Sequence, residues 1–406
     1  MMQKVEPRCP YFGTCGGCQL QHLAYDDQLE LKRGMVRESM EKQGLGGIKV
    51  RETLGMEDPW FYRNKIQFPI RQQNQHLQMG YFKQKTHAVV NIKECYIQDP
   101  FLTEIALIAR EIFEERGLPA YDESTGNGLL RHLIGRSGFQ TREILLGIVI
   151  NGKGLPAGFT VADEIKKQER LAQRMVSRHR DYPHPEKKAR IVSIIQNINT
   201  TRSNVILGKH NTVLFGAPFL REKLGRFFFE IQLNSFFQVN PLQAEKLYDL
   251  VRDFAELSGK ELVVDAYAGI GAIAFWLSTK AERVIGLEES AAAVKDAGRN
   301  ITLNNLNKVK IELGMTENSF PKQAEVVVLD PPRGGCSEKA LRAIIKSNPQ
   351  KIIYVSCNPE TLARDLRKLS ENNFEIKVIQ PVDMFPQTEH VEVIAKLVKL
   401  SRTAGN

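Results

Sequence analysis

Three of the six cysteines lie close together near the start of the chain, in the segment CPYFGTCGGCQLQH. Glycines separate Cys9, Cys15 and Cys18, and a residue without a Cβ lets the backbone wrap closely around a bulky group. A fourth thiolate could come from Cys95, which follows a strand-like run in VVNIKECYIQDP. Four thiolates suit either zinc or a 4Fe–4S cluster, and one ligand distant from the other three favours the cluster over zinc.

A second group of reactive residue types lies in the C-terminal part. Cys357 follows the apolar run KIIYVS and precedes Asn358, Pro359 and a helical pattern. The dipole of that helix should lower the pKa of the thiol and favour a nucleophilic thiolate, although a small buried core cysteine would give the same pattern. Glu392 lies inside the apolar run HVEVIAKLVK. Burial of a carboxylate costs free energy, so a carboxylate at such a position indicates a functional role. The solvent side of an edge strand is the alternative position for this glutamate.

The segment ELVVDAYAGIGAIAFWL indicates a nucleotide-type ligand, because a glycine turn directly follows an apolar strand. Glu288 ends the next strand, roughly 20 residues on, where a carboxylate can accept hydrogen bonds from two ribose hydroxyls. Both NAD and S-adenosylmethionine have that ribose. The turn lacks the third glycine that a pyrophosphate requires, which favours S-adenosylmethionine.

The segment VVVLDPPRGG places Asp330 at the tip of a buried strand, before two prolines that stiffen the chain. In enzymes that methylate the amino groups of adenine or glutamine, a similar Asp/Asn-Pro-Pro run is followed by an aromatic residue that stacks on the target. Arg333 occupies that position here, which argues against amino-group methylation.

The pattern of apolar residues predicts three parts that position these side chains. Residues 1–48 form a small cysteine-rich segment, which Cys95 completes. Residues 49–228 mix strand-like runs with amphipathic helices, which predicts an α+β middle domain. Residues 229–406 alternate strands and helices, typical of a parallel, doubly wound, Rossmann-like sheet. The predicted fold class is therefore α/β.

The formal net charge of +9 favours a polyanionic partner such as nucleic acid. The longest apolar runs, such as ILLGIVI, are too short to cross a bilayer, and the first residues contain no apolar signal core. We therefore expect a cytoplasmic protein with no membrane partner and no obligate protein partner. A reducing cytosol favours metal binding or catalysis over disulfides for the clustered cysteines.

Six segments in the same order make the chain resemble the RNA uracil-C5 methyltransferase family, whose members use S-adenosylmethionine to make 5-methyluridine in ribosomal or transfer RNA. The segments are NSFFQVNP, DAYAGIGAIA, VIGLEES, VVLDPPRGG, YVSCNPETLARDL and MFPQTEHVEVI. The resemblance implies that Cys357 is the nucleophile and Glu392 the general base. It implies two ligand sets, which are Gln238, Tyr267, Glu288 and Asp330 for S-adenosylmethionine and Cys9, Cys15, Cys18 and Cys95 for a 4Fe–4S cluster.

The resemblance implies an RNA substrate, and we expect 23S ribosomal RNA, with transfer RNA as the alternative. A non-catalytic RNA-binding scaffold is the alternative from another class, but it should lack the thiol or the base, and both are present. Many members carry a small β-barrel RNA-binding domain before the cysteines. The cysteines here begin at residue 9, so we expect that domain to be absent and RNA affinity to come from the other parts.

We nominate two groups of basic residues for RNA contact. The first is Arg63 and Lys65 in FYRNKIQF. The second lies on a basic amphipathic helix predicted over 162–180, and its members are Arg170, Arg174 and Arg178. A solvated helix face is the alternative explanation for this second group, and the charge pattern favours it.

Overall fold

The computed structural model describes residues 2–176 and 188–400. Ten helices lie within these ranges: α1 (Tyr25–Lys42), α2 (Pro100–Glu115), α3 (Gly158–Lys167), α4 (Glu169–Val176), α5 (Pro241–Ala255), α6 (Ala272–Ser278), α7 (Ala291–Leu303), α8 (Thr316–Ser319), α9 (Glu338–Ser347) and α10 (Pro359–Ser370). Among the described residues, none of the helices has the length and apolar character needed to span a bilayer.

The strands of the same ranges form two seven-stranded sheets and one hairpin. The first sheet has the order β3-β2-β1-β4-β5-β6-β7, the second has the order β12-β11-β10-β13-β14-β16-β15, and β8 pairs with β9. Their bounds are β1 (Lys65–Gln73), β2 (His76–Phe82), β3 (Val89–Asn91), β4 (Leu130–Ser137), β5 (Glu143–Ile150), β6 (Arg190–Ile198), β7 (His210–Gly216), β8 (Phe219–Leu224), β9 (Phe227–Gln232), β10 (Leu262–Asp265), β11 (Arg283–Glu288), β12 (Val309–Leu313), β13 (Val326–Leu329), β14 (Lys351–Ser356), β15 (Phe374–Val382) and β16 (Glu392–Lys399).

The second sheet is the Rossmann-like sheet that the sequence predicts. Strands β10 to β14 pair in parallel, and β16 enters antiparallel between β14 and β15. Because the carboxyl ends of parallel strands share one edge, the chain ends of β10, β11, β13 and β14 meet there. The reversed strand β16 brings its first residue, Glu392, to that same edge. Glu392 is only 5% exposed, so its alternative position on the solvent side of an edge strand is wrong.

The first sheet carries its own core, in which α2 and α3 pack against the strands and α4 packs against α2 and α3. The basic helix predicted over 162–180 is two helices here, since α3 ends at Lys167 and α4 begins at Glu169. Arg170 and Arg174 are exposed on α4, and Arg178 lies outside the described residues. The strand before Cys95 is also shorter than predicted, because β3 ends at Asn91 and the cysteine lies in the loop that follows.

A buried ion pair joins the first helix to the last part of the chain. Lys32 on α1 lies 2.5 Å from Asp383, and both side chains are fully buried. The Tyr25 hydroxyl donates a hydrogen bond to the other Asp383 oxygen at 2.8 Å, and Lys32 also donates to the Phe385 carbonyl at 3.1 Å. Burial lowers the pKa of Lys32, and the Asp383 carboxylate opposes that shift. The loop that leads into β16 is thus fixed by α1.

Substitution of Lys32 by alanine should lower the free energy of unfolding by about 3–5 kcal/mol, because it leaves the Asp383 charge buried and uncompensated. Urea denaturation followed by circular dichroism measures this change. Lys42→Ala is the matched control, since Lys42 lies on the same helix and pairs with Glu38 in solvent. Equal denaturation midpoints for the two variants would contradict the structural role of the buried pair.

Candidate active site

Four side chains that the sequence nominates meet at the carboxyl edge of the second sheet. Glu288 ends β11, Asp330 directly follows β13, and Cys357 directly follows β14. Glu392 joins them as the first residue of β16. Asp265, which ends β10, is a fifth member that the sequence analysis did not nominate, although its position at a strand tip was visible.

The glycine turn after β10 holds the Glu288 carboxylate. Gly269 and Gly271 have φ values of +54° and +94°, a backbone region that favours glycine. The Gly269 amide donates to Glu288 Oε2 at 2.9 Å, and the Ser290 amide donates to Oε1 at 2.8 Å. The carboxylate is therefore oriented beside the turn, where the sugar of a nucleoside ligand is expected.

Three carboxyl groups of this edge are desolvated together. Burial raises the pKa of Asp330 to about 7, and burial together with the Asp330 charge raises the pKa of Asp265 to about 7. Burial and then the Asp330 charge hold the pKa of Glu392 well above its usual range. The backbone amides of Ala274 and Tyr267 lie close enough to oppose the shift at Asp265, but among the described residues no donor forms a hydrogen bond of normal geometry with either of its carboxylate oxygens. A bound cation would stabilise the ionised forms of all three groups.

Tyr248 connects Gln238 with these acids. The Gln238 side chain hydrogen-bonds the Tyr248 hydroxyl, and the tyrosine pKa is raised by burial and then by Asp330, Asp265 and Glu392. The Gln238 carbonyl accepts a hydrogen bond from the Asn64 side chain at 3.3 Å, which links the site to the first sheet. Gln238 therefore lies beside the carboxyl edge, and its contact with the cofactor stays a prediction.

Tyr267 follows β10 at the same edge and is half-buried. Its hydroxyl donates to the Cys336 sulfur at 3.7 Å. The Cys336 amide in turn donates to Asp365 on α10 at 2.9 Å. These contacts fix the ring of Tyr267 against the loop that follows Asp330.

The Cys357 thiol is half-buried, and its pKa is raised to about 11. Burial is the main cause, followed by the charges of Glu392 and Asp330, whereas the Arg333 guanidinium opposes the shift. The sequence-based expectation of a lowered pKa is therefore wrong for the ligand-free protein. The helix dipole is outweighed mainly by burial, and two carboxyl groups that are distant in sequence but near the sulfur add to the shift.

A cavity of about 430 Å³ opens in front of this thiol, large enough for a small organic ring. Arg63 and Tyr81 of the middle domain and Gly17 of the cysteine segment form the side that faces Cys357 and Arg333. The Arg333 carbonyl accepts hydrogen bonds from Asn358 and Thr361, both at 3.2 Å, which fixes this arginine next to the thiol loop. Sequence analysis missed the role of Arg333 in this cavity, together with those of Phe385, Thr388 and His390.

Cys9, Cys15, Cys18 and Cys95 line one enclosed cavity together with Tyr81. Burial is the main cause of a raised pKa at all four thiols, to about 12 for Cys18, and neighbouring cysteines add to it at all but Cys9. Within residues 2–176 and 188–400, no three His, Cys, Asp or Glu side chains form a group that could hold a single metal ion. The structure therefore brings the four cysteines to one cavity without forming a compact single-ion site.

Comparison with known proteins gives two family matches within the C-terminal part. Residues 313–400 match the tRNA (Uracil-5-)-methyltransferase family, and residues 249–354 match the methyltransferase small domain. The first range contains Cys357 and Glu392, and the second contains Asp265, Glu288 and Asp330.

Similar whole proteins agree with these matches. An uncharacterized RNA methyltransferase of Halalkalibacterium halodurans is 40% identical over 97% of this chain and 83% of its own length. One of Bacillus cereus is 41% identical over the same shares. The crystal structure of Pyrococcus abyssi tRNA (uracil-54, C5)-methyltransferase with S-adenosyl-L-homocysteine has a TM-score of 0.76 and 29% identity, over 95% of this chain and 86% of that one.

The electrostatics of the thiol can be tested by alkylation. In the ligand-free protein, the rate at which iodoacetamide modifies Cys357 should rise about tenfold per pH unit up to pH ~10, because only the thiolate reacts and the pKa is about 11. Asp330→Asn should increase the rate at pH 8, since it removes a charge that raises this pKa, and Arg333→Gln should decrease it. Mass spectrometry of peptides measures each cysteine separately. Unchanged rates in both variants would contradict this account of the thiol.

Proposed function

Since the chain belongs to the RNA uracil-C5 methyltransferase family and is an S-adenosylmethionine-dependent RNA methyltransferase, we propose that it methylates C5 of one uridine in structured RNA through a covalent adduct at Cys357. One observation carries the proposal. The thiol lies on the wall of a cavity of about 430 Å³, and Glu392 and Asp330 are near enough to raise its pKa.

Uracil C5 is a poor nucleophile, and addition of a thiolate to C6 overcomes this. Cys357 forms a bond to C6, and the electron pair of the C5–C6 double bond moves into an enolate over C5 and O4. S-adenosylmethionine supplies an electrophilic methyl group on a sulfonium, and C5 takes that methyl. Glu392 then removes the C5 proton, the double bond reforms, and the Cys357 thiolate leaves. The target base must leave its stack to reach the thiol.

The charges of the site suit these steps. A carboxylate whose pKa is held well above its usual range is a better base, as the proton abstraction by Glu392 requires. The raised pKa of Cys357 depends partly on Glu392 and Asp330. A sulfonium bound among the carboxyl groups would offset their charge and so favour the thiolate.

For the cofactor we propose that Glu288 accepts hydrogen bonds from the ribose hydroxyls, and that Gln238, Tyr267 and Asp330 contact the rest of the molecule. The orientation of Glu288 by two backbone amides supports the ribose role. We add Asp265 as a partner for a positive group of the cofactor, because its buried carboxylate oxygens form no hydrogen bond of normal geometry within the described ranges.

We propose 23S ribosomal RNA as the substrate, with transfer RNA as the second candidate, since the similar Pyrococcus abyssi enzyme is a tRNA (uracil-54, C5)-methyltransferase. Arg63 in the thiol cavity and Lys65 beside it are proposed RNA contacts. Burial, Arg136 and Arg63 lower the pKa of Lys65 to about 7, and a phosphate would reverse that shift. Arg170 and Arg174 on α4 remain a second proposed contact. In vitro methylation of each purified RNA class distinguishes the two substrates.

RNA that contains 5-fluorouridine at the target position should form a stable covalent complex with the wild-type protein, because fluorine prevents the final proton loss. Cys357→Ala should form no complex and have no methyltransferase activity. Glu392→Gln should accumulate a complex with ordinary RNA and release product slowly, since the base is missing. Denaturing gel electrophoresis and mass spectrometry measure the complex.

Cys336→Ser is the matched control, because Cys336 is the other cysteine of the C-terminal part and a serine oxygen can still accept the hydrogen bond of the Tyr267 hydroxyl, so complex formation should stay intact. Methylation by Cys357→Ala would refute the covalent mechanism. Unchanged turnover by Glu392→Gln would remove that residue from the role of base.

We also propose that Cys9, Cys15, Cys18 and Cys95 hold a 4Fe–4S cluster. The thiols of a zinc site lie about 4 Å apart, given a Zn–S distance of about 2.3 Å, whereas a cluster of eight atoms needs a wider arrangement. The four cysteines line one cavity, which supports a single prosthetic group shared among them. Methyl transfer from a sulfonium moves no net electron, so the proposed role is to tie the cysteine segment to the middle domain.

Anaerobically purified protein should contain about four iron atoms per chain and absorb broadly near ~400 nm, from thiolate-to-iron charge transfer. Cys95→Ser should lose both signals, because it removes the ligand from the middle domain, whereas Cys336→Ala should keep them. Metal analysis and absorbance spectroscopy measure this. A colourless wild-type protein with one zinc would contradict the cluster.

A further inference from the structure

An open cleft of about 490 Å³ lies between the cysteine segment and the loop that joins β2 to β3. Two contacts join the cleft walls. The Gly16 amide donates to the Phe82 carbonyl at 3.0 Å, and Cys15 forms an isolated β-bridge with Lys83. A Cβ on Gly16 would lie only 3.0 Å from that carbonyl, so the absence of a side chain permits this close approach.

This cleft adjoins the cavity of Cys357. Gly17 and Tyr81 line both spaces, so they form a shared wall between the outer cleft and the thiol. A chain that occupies the cleft can therefore continue over these two residues to the cavity.

The charge of the cleft is positive. Lys83, Lys85 and His87 are exposed on its rim, and its lining contains no Asp or Glu. In the part of the chain that the structure describes, neither lysine ammonium forms an ion pair with a carboxylate. Unpaired ammonium groups beside a groove suit the phosphates of a nucleic acid strand.

The cleft also offers a surface for stacking. The Phe82 ring is half-buried, and the exposed His87 ring lies 5.5 Å from it between centroids. Aromatic rings next to cations are the usual combination on which single-stranded RNA bases stack.

We propose that this cleft binds the nucleotides that flank the target uridine, with Lys83 and Lys85 on their phosphates, and directs the uridine over Gly17 and Tyr81 to Cys357. The inference rests on the proposed function, since it assumes an RNA substrate. Extrusion of one base requires that its neighbours be held, and a cleft that shares Gly17 and Tyr81 with the thiol cavity is placed to hold them.

The test compares two double variants, each of which removes two lysine charges. Lys83→Ala/Lys85→Ala changes the cleft. Lys260→Ala/Lys322→Ala is the matched control, because both of its lysines are exposed and precede β10 and β13, at the edge of the sheet opposite the site. The probe is a fluorescein-labelled oligouridylate of about 12 nucleotides, and fluorescence anisotropy gives its affinity between about 50 and 200 mM KCl.

The cleft variant should weaken binding and reduce the slope of log affinity against log salt by about 1.4, from about 0.7 per lost phosphate contact. The control variant should keep the wild-type slope. Each of three results would overturn the inference. They are a wild-type slope in the cleft variant, an equal reduction of the slope in the control variant, and no binding of the probe by the wild-type protein. The 5-fluorouridine complex at Cys357 is measured separately, so failure of the cleft and failure of the proposed chemistry are distinguishable.

Discussion

Three carboxyl groups are crowded at one buried sheet edge, and the cost of ionising them there governs the site. Asp265, Asp330 and Glu392 are each desolvated, and Asp330 raises the pKa of the other two. Burial, and then the charges of Glu392 and Asp330, raise the pKa of the Cys357 thiol as well. Under the proposed mechanism, a cationic methyl donor that binds among these carboxyl groups would lower the pKa of the thiol.

Topology makes this crowding possible. Parallel strands alone bring Asp265, Asp330 and Cys357 to one edge, but a strand that ran parallel would carry Glu392 to the opposite edge. The reversed direction of β16 is therefore what places a carboxylate near the thiol. The loop before β16 is held from the other side by α1, where Asp383 is buried against Lys32.

Local patterns were sufficient to predict much of this from the sequence. Alternating strands and helices gave the Rossmann-like sheet, and six segments identified the family. The helix break between Lys167 and Glu169 and the early end of β3 were not predictable, because the apolar period continues through both. The raised pKa of Cys357 was missed for a different reason. It depends first on burial of the thiol and then on Glu392 and Asp330, and the fold, not the sequence next to the cysteine, produces both effects.

The pair of Lys32 and Asp383 also has a temporal consequence, since 351 positions separate its members. A ribosome adds about 5–20 residues per second, so the ammonium of a nascent chain waits roughly 20–70 seconds for its partner. During that interval the first helix lacks its buried charge partner. Glu392 is synthesised soon after Asp383, so the contact that fixes the loop before β16 forms late in translation, together with the last strand of the sheet edge.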